Sequence, residues 1–246
     1  MKALEQYRAS DNERARTEDL LRLLPSGRSS VLDIGARDGH FSRLLADHFL
    51  EVTALDLKKP TFEFDRVVTV AGDITNLAFP DNSFDCVFCT EVLEHITNVE
   101  KACQEIMRIT RHEIIIGVPF QQDIRVERTT CRSCGAINPP WGHVNSFDEA
   151  RLLRLFHGAR LLSKSFVGVS KDATNFASAF FMDLAGNPWG TYEQDEPCNS
   201  CGAALSSPTN RRIWQRACSF LAVSLNRMQA VTVRPHANWI HLVLAK

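Results

Sequence analysis

The sequence predicts an α/β protein built on a doubly wound, mostly parallel sheet. Three short apolar runs, at 31–34, 51–57 and 67–73, follow one another at the spacing of strand–connection–strand units. Further runs at 86–89, 113–118 and 161–169 predict the fourth, fifth and sixth strands, and 239–244 predicts a last, antiparallel strand. Short apolar runs bounded by turn residues are typical of strands buried on both faces.

The first strand leads into a glycine loop, because residues 31–42 read VLDIGARDGHFS. Gly35 and Gly39 lie four positions apart, before a helix predicted to start near His40. Glycine permits a tight turn and lets the backbone approach a ligand where a Cβ would collide. Arg37 replaces the second glycine of the dinucleotide fingerprint, and Asp33 suits a ligand with a cationic amino-acid portion. The loop therefore indicates a ligand other than a dinucleotide.

Acidic residues end the next two strands. Asp56 lies about twenty residues after the loop, the spacing at which a carboxylate accepts hydrogen bonds from ribose, and the third strand ends in Gly72-Asp73-Ile74. A turn, FPDNSFD at 79–85, precedes the fourth strand, and EVLEHI at 91–96 is predicted to open a helix. The order and spacing of these motifs resemble those of class I S-adenosylmethionine-dependent methyltransferases, the broad family that includes the ubiquinone-biosynthesis methyltransferases.

The resemblance covers residues 31–120 well and the rest weakly. It implies a Rossmann-like, seven-stranded methyltransferase sheet with S-adenosylmethionine as cofactor. In such enzymes the acid matching Asp73 meets the adenine amino group, and the backbone after Cys89 contributes near the methyl site. A doubly wound domain for another adenosine ligand is the structural alternative. The cofactor residues implied are Asp33, Gly35, Gly39, Asp56, Asp73, Ile74 and Thr90.

Eight cysteines require an explanation other than disulfides in a protein expected to be cytoplasmic. Cys86 and Cys89 lie three apart on one strand and face opposite sides, so core packing is expected there, as for Cys103 and Cys218. Two C-x-x-C-G motifs in Pro/Asn/Ser-rich loops instead predict one structural, tetrahedral zinc site. Two unrelated reduced pairs are the alternative. The predicted zinc ligands are Cys131, Cys134, Cys198 and Cys201.

More than sixty residues separate the two motifs, so the predicted zinc ties two loops together. Both loops leave the ligand-side ends of strands, which predicts a zinc-linked lid. The expected organisation is an N-terminal helical segment (1–27), a methyltransferase core (28–170 and 232–246) and lid insertions (121–142 and 171–231). Helices are predicted at 3–24, 97–110, 147–156 behind a Ser146–Glu149 capping box, 171–192 and 210–228. The lid's own core is expected to hold Phe176, Phe180, Phe181 and Trp189.

Catalysis would require an acceptor aligned with a good leaving group, and a base if that acceptor is a hydroxyl. His143, in NPPWGHVN, and His95, beside the expected methyl site, are the candidate bases, although either could be structural. Glu91, Glu94 and His95 share one face of the predicted helix and could instead hold a divalent ion, as a similar motif does in some ubiquinone-pathway O-methyltransferases.

Composition limits the function classes. A net charge of −1 gives no overall positive charge with which to bind nucleic acid, although it does not exclude a local basic patch. No long apolar run predicts a membrane span, and the N-terminus lacks a signal-peptide core. The favoured function is methyl transfer to a small-molecule, glycan or lipid-precursor acceptor, at oxygen. The alternatives are an RNA or protein methyltransferase that uses the zinc knuckles for recognition, and a non-catalytic zinc interaction module.

Overall fold

The computed structural model describes residues 8–194 and 196–246, so the first seven residues of the predicted N-terminal segment lie outside the described residues. The chain forms two compact units. The sheet unit runs to Phe120 and includes Phe147–Gly168 and Ala237–Lys246. The cysteine unit comprises Gln121–Ser146 and Val169–His236. The chain leaves the sheet unit twice, after its fifth strand and again before its last.

The sheet unit contains a seven-stranded sheet in the order β3-β2-β1-β4-β5-β9-β8. β9 pairs antiparallel with both of its neighbours, β5 and β8, and the other neighbouring strands pair parallel. This arrangement confirms the predicted doubly wound fold, including the antiparallel last strand. The strands are β1 (Ser30–Ile34), β2 (Glu51–Asp56), β3 (Val67–Ala71), β4 (Phe84–Thr90), β5 (Thr110–Pro119), β8 (Arg160–Val167) and β9 (Trp239–Ala245), while β6 (Thr129–Thr130) and β7 (Ile137–Asn138) belong to the cysteine unit.

The strand order reverses at β1, which pairs with β2 on one side and with β4 on the other. At the end of β1, Ile34 lies opposite Leu55 of β2 and Cys89 of β4. The carboxyl ends of the three strands are therefore level with one another, and the glycine loop starts directly after them. This reversal is the position at which open parallel sheets bind their ligands.

Helices cover both faces of the sheet: α1 (Asp11–Arg22), α2 (His40–Leu45), α3 (Val99–Ile109) and α4 (Glu149–Leu155). Cys86 is buried in the apolar layer that holds Leu20 of α1, whereas Cys89 lies in the opposite layer beside Cys103 of α3. Successive strand residues alternate between faces, and the two strand cysteines obey this rule. Their predicted role as separate core residues is confirmed.

Two local predictions about helix starts were wrong. Residues 91–96 form no α-helix but a single 3₁₀ turn at Leu93–His95, because Glu91 adopts a left-handed φ of 57°. Ser146 does not cap α4. Asp148 does, accepting a 2.7 Å hydrogen bond from the Arg151 N–H, because Phe147 forms a bridge with Phe120 and keeps the chain extended.

The cysteine unit contains the β6–β7 hairpin and two packed helices, α5 (Phe176–Leu184) and α6 (Ile213–Ala230). The predicted helix 171–192 is much shorter in the structure. Asn175 caps its start by accepting from the Ser178 N–H at 2.8 Å. Gly186 and Asn187 end it with φ values of 79° and 50°, outside the helical region. None of the described helices is both long and apolar enough to cross a membrane.

Small side chains make the contact between α5 and α6. Ser178 donates to the Ala222 carbonyl at 2.7 Å, and Ala179 and Ser219 are also buried. The prediction that Phe176, Phe180 and Trp189 form this insertion's core was wrong, because small residues occupy the contact and leave these aromatics exposed. Phe181 is half-buried. Cys218 of α6 is also only half-buried, so its predicted core position was wrong for the same reason.

Candidate functional site

The glycine loop depends on backbone conformations that other residues rarely adopt. Gly35 and Gly39 have φ values of 82° and 80°, in the left-handed region. A Cβ on Gly35 would lie 2.3 Å from the Val92 side chain, and one on Gly39 would lie 2.4 Å from the Phe62 ring. The N–H groups of Gly35 and Ala36 both donate to the Leu55 carbonyl, at 2.8 and 3.0 Å. The end of β2 therefore fixes the start of the loop.

Asp33, two residues before Gly35, is a buried acid beneath the loop. Burial raises the pKa of its carboxyl to about 7, opposed by a hydrogen bond from Ser42 and assisted by the nearby Asp56. The Ser42 hydroxyl donates to Asp33 at 2.5 Å. A buried carboxylate without a positive partner costs free energy, which a cationic ligand group would offset.

Asp56 ends β2 and contacts the same loop. Its carboxylate accepts a 3.0 Å hydrogen bond from the Arg37 N–H, and Arg37 itself adopts a φ of 45°. Asp56 is half-buried, so it lies at the surface of the carboxyl edge of the sheet. This is the position at which a ribose would be bound.

The remaining predicted cofactor residues lie after β3 and at the end of β4. Asp73 is exposed, and its carboxylate accepts from the N–H and the hydroxyl of Thr75, both at 2.8 Å. These bonds, the backbone one first, lower the pKa of Asp73. Ile74 is buried in the core, and Thr90 is buried at the end of β4 opposite Gly117. All seven residues thus lie along β1–β4 at one edge, and their contact with a cofactor stays a prediction.

One loop contact was missed from the sequence. The Phe62 ring packs against Gly39 and lies beneath the Arg43 guanidinium, 4.8 Å from the ring centroid. Phe62 stands in the connection between β2 and β3, where no strand or helix period marks it. An aromatic pair, Phe62 and Phe64, in a polar, proline-containing stretch was the available signal.

The turn after β4 contains the predicted divalent-ion triad, and the structure does not assemble it. Glu94 is fully buried, whereas His95 is exposed. Among the described residues, Glu91, Glu94 and His95 are not a group whose ligand atoms all lie within 4.8 Å of one another. Burial raises the pKa of Glu94 well above its usual range, with Glu91 adding to the effect. The shared helical face behind this prediction does not exist, since Glu91 precedes the 3₁₀ turn.

His143 is a buried histidine of the cysteine unit. Its Nδ1 lies 2.6 Å from Oε1 of Gln122, and its backbone N–H donates to the Pro140 carbonyl at 2.9 Å. An amide oxygen accepts hydrogen bonds, so the proton of the neutral ring lies on Nδ1 and Nε2 is the basic nitrogen. Gln122 was not anticipated from the sequence. His95, in contrast, is exposed on the 3₁₀ turn.

The four cysteines of the C-x-x-C-G motifs form one cluster. Their sulfur atoms all lie within 4.8 Å of one another, with 3.7 Å between Cys131 and Cys201 and 3.6 Å between Cys134 and Cys198. The predicted grouping is confirmed, and the alternative of two unrelated pairs was wrong. Two thiols, of Cys131 and Cys198, are buried, and the other two are exposed.

The two motifs share one backbone geometry. Gly135 and Gly202 have φ values of 75° and 71°, and their N–H groups donate to the carbonyls of Cys131 and Cys198 at 2.9 and 2.8 Å. A hydrogen bond from the Ser200 backbone lowers the pKa of Cys198 to about 6. The equivalent bond from the Cys134 backbone lowers the pKa of Cys131. The first cysteine of each motif is thus favoured as a thiolate. The pKa of Cys134 is instead raised to about 12, because a backbone hydrogen bond from Ala136, which lowers it, is outweighed by hydrogen bonds with the other thiols, that with Cys201 first.

The sheet order, the glycine loop and the acids at the strand ends define the class I methyltransferase architecture. The methyltransferase domain family matches residues 32–116. Residues 32–116 therefore match a methyltransferase domain, and the sheet that contains them has the strand order of class I methyltransferases. The matched segment contains Asp33, Gly35, Gly39, Asp56 and Asp73, so the family assignment and the loop geometry concern the same residues.

Curated relatives match this part of the chain. Demethylmenaquinone methyltransferase of Renibacterium salmoninarum is 36% identical over an alignment of 91 residues, and the match covers 33% of this chain and 36% of that protein. Malonyl-[acyl-carrier protein] O-methyltransferase of Pectobacterium atrosepticum is 34% identical over an alignment of 110 residues, and the match covers 42% of this chain and 44% of that one. The chain thus spans less than half the length of these relatives.

A solved structure extends the likeness in fold. The YcgJ protein of Bacillus subtilis superposes with a TM-score of 0.57 and 14% sequence identity, over 94% of this chain and 97% of that one. At this identity the likeness concerns the fold alone.

Proposed function

We propose that the chain binds S-adenosylmethionine at the carboxyl edge of its sheet and transfers the methyl group to a small-molecule, glycan or lipid-precursor acceptor. The observation that carries this proposal is the hydrogen bond from the Arg37 N–H to Asp56, which joins the glycine loop to the acid that we propose binds the ribose. The names of the relatives support a small acceptor, since they act on demethylmenaquinone and malonyl-[acyl-carrier protein]. The second name specifies an O-methyltransferase, which favours oxygen.

Each residue at this edge has a side chain suited to one group of S-adenosylmethionine. Asp33 is a buried acid suited to the ammonium of the methionine portion, and Asp56 to the ribose hydroxyls. Asp73 suits the adenine amino group, with Ile74 as its apolar neighbour. Gly35 and Gly39 leave the space that a Cβ would occupy. Thr90 ends the strand from which the backbone would approach the methyl site.

His143 is the proposed general base. When bound, S-adenosylmethionine supplies a methyl group on a sulfonium, already a good leaving group. If the acceptor is a hydroxyl, Nε2 of His143 would accept its proton as the oxygen takes the methyl group. Gln122 holds the ring through Nδ1, the orientation that a base requires. His95 is the second candidate for this proton.

Zinc is the proposed ion of the cysteine cluster. Four thiols in two knuckles match a closed, tetrahedral site, and the lowered pKa of Cys198 favours its thiolate form. A closed four-thiolate site offers no open position for water, so this zinc would stabilise the cysteine unit rather than take part in the reaction.

A labelled methyl-transfer assay tests the proposed function. The full chain is incubated with methyl-labelled S-adenosylmethionine and with separate small-molecule, RNA and protein fractions of a cell extract. Label should enter the small-molecule fraction and be lost with the Asp56→Ala variant. Label in the RNA or protein fraction alone would support a macromolecular methyltransferase. Cofactor binding without transfer to any fraction would favour the non-catalytic zinc module.

A further inference from the structure

Helix α6 presents an apolar stripe to solvent. Ile213, Phe220 and Met228 are 87%, 73% and 74% exposed, and Val231 directly after the helix is also exposed. With Ala217 and Ser224, these residues recur every three or four positions and therefore share one face. The Ser224 hydroxyl donates back to the Phe220 carbonyl at 2.8 Å, so it adds little polarity to the stripe. The opposite face of α6 holds the buried Ser219 and Ala222.

Positive charge flanks this stripe. Residues 197–236 contain five arginines and no lysine, aspartate or glutamate. Arg216 and Arg227 lie three helical turns apart, so both stand on the same side of the stripe. Within the described residues, none of the five guanidinium groups is in a salt bridge. The net charge of −1 for the whole chain conceals this local excess.

A cavity of about 420 Å³ lies on the arginine side of the stripe. Its lining combines guanidinium groups with aromatic surface, including Arg211, Arg216, Arg227, Trp189 and Phe220. Guanidinium groups bind phosphate oxygens in a bidentate way. The cavity therefore offers phosphate recognition directly beside exposed apolar side chains.

We propose that α6 docks the cysteine unit on the surface of an anionic lipid membrane. Exposed aliphatic and aromatic side chains would enter the headgroup–acyl boundary, while the arginines contact lipid phosphates, as in interfacial amphipathic helices. The stripe lies in the plane of the surface and does not span it. This inference is independent of the proposed methyl transfer.

Other binding partners of α6 would match either its positive charge or its apolar stripe less well. A second copy of α6 would bring arginines against arginines, with no acid on the helix to pair them. Single-stranded RNA would suit the arginines and aromatics, but it would leave Ile213, Met228 and Val231 in water. Of these three binding partners, an anionic lipid surface alone satisfies both the apolar stripe and the positive charge.

Vesicle flotation of the full chain tests the proposal. The vesicles are phosphatidylcholine alone or phosphatidylcholine mixed with phosphatidylglycerol, at low and high salt. The protein should float with the anionic vesicles, less so at high salt, and not with phosphatidylcholine alone. Arg216→Gln with Arg227→Gln should weaken this binding about 30-fold, and Phe220→Gln with Met228→Gln at least about tenfold.

A matched charge control is Arg154→Gln with Arg160→Gln, because both arginines are exposed in the sheet unit. This variant should bind as the wild type does. Equal helix content and zinc content of all variants exclude misfolding as the cause. The proposal is overturned by absent binding, by equal binding to neutral vesicles, or by equal weakening in the control. It is also overturned if the α6 variants abolish a dimer, or binding of bulk RNA, while vesicle binding is absent.

Discussion

The Arg37 N–H in the glycine loop donates a 3.0 Å hydrogen bond to the Asp56 carboxylate at the end of β2. Two separate strand ends are joined by this contact. The loop conformation and the position of the acid consequently depend on each other. A substitution at either place should therefore alter both the loop and ligand binding.

Gly35→Ala should lower the free energy of unfolding by about 2–4 kcal/mol, because the new Cβ meets Val92 and the backbone φ is unfavourable. Gly27→Ala is the matched control, since Gly27 has a similar φ of 71° and nothing within 4 Å of the added Cβ. It should cost only about 1–2 kcal/mol. Urea denaturation measures the free energy of unfolding of both variants.

Adding Val92→Ala to Gly35→Ala separates the clash from the backbone strain. The double variant should regain the free energy of unfolding that the clash with Val92 costs, and it should still lack the share that the unfavourable backbone φ costs. Additive destabilisation by the two substitutions would mean that Val92 does not restrict the loop.

Asp33 should make the ligand-free protein less stable as pH rises. Its folded pKa of about 7 lies above the ordinary value of 3.8, so its stability contribution is complete below about pH 4 and lost as pH rises through about 7. The difference approaches about 4 kcal/mol at most. Asp33→Asn should remove this part of the pH dependence in urea denaturation at about pH 5 and about pH 8. An unchanged slope would refute the raised pKa.

The cysteine cluster should hold about one zinc per chain. Elemental analysis should show that Cys131→Ser and Cys198→Ser each lose the metal, whereas Cys218→Ser, outside the cluster on α6, retains it. Chelation should unfold the cysteine unit and leave the sheet unit folded, as circular dichroism can show. Retention of stoichiometric zinc by both cluster variants would exclude the four-thiolate site.

His143→Ala should bind S-adenosylmethionine normally but lose about two orders of magnitude in turnover, the contribution of a positioned base. The loss should diminish at high pH if the acceptor hydroxyl can ionise unaided. Gln122→Ala should lower turnover less, because it disturbs only the ring orientation. Near-normal turnover of His143→Ala would transfer the role of base to His95.

The strands, the glycine loop and the two cysteine motifs could be predicted because each depends on a short local pattern. The strand cysteines Cys86 and Cys89 follow from the two-residue period alone. The turn after β4 could not be predicted, since the left-handed φ of Glu91 occurs where the chain packs Val92 against Gly35. The cap at Asp148 depends on a bridge between Phe147 and Phe120, which are far apart in sequence.

The sequence also could not predict which face of α6 is exposed to solvent. Its period shows an apolar stripe, and a stripe is ordinarily buried. Small residues in α5 and α6 make their contact instead, which leaves Phe220 and Met228 exposed. No local pattern states which face of a helix the fold will cover.

Calorimetric titration with S-adenosylmethionine measures the central claim most directly, that the cofactor binds between the glycine loop and Asp56. The wild type should bind, and Asp56→Ala should bind about 1.5–3 kcal/mol more weakly, because it loses charge-assisted hydrogen bonds to ribose and the contact with Arg37. Asp47→Ala, which removes an exposed carboxylate elsewhere in the sheet unit, should bind as the wild type does. Equal affinity of Asp56→Ala and the wild type would contradict the account.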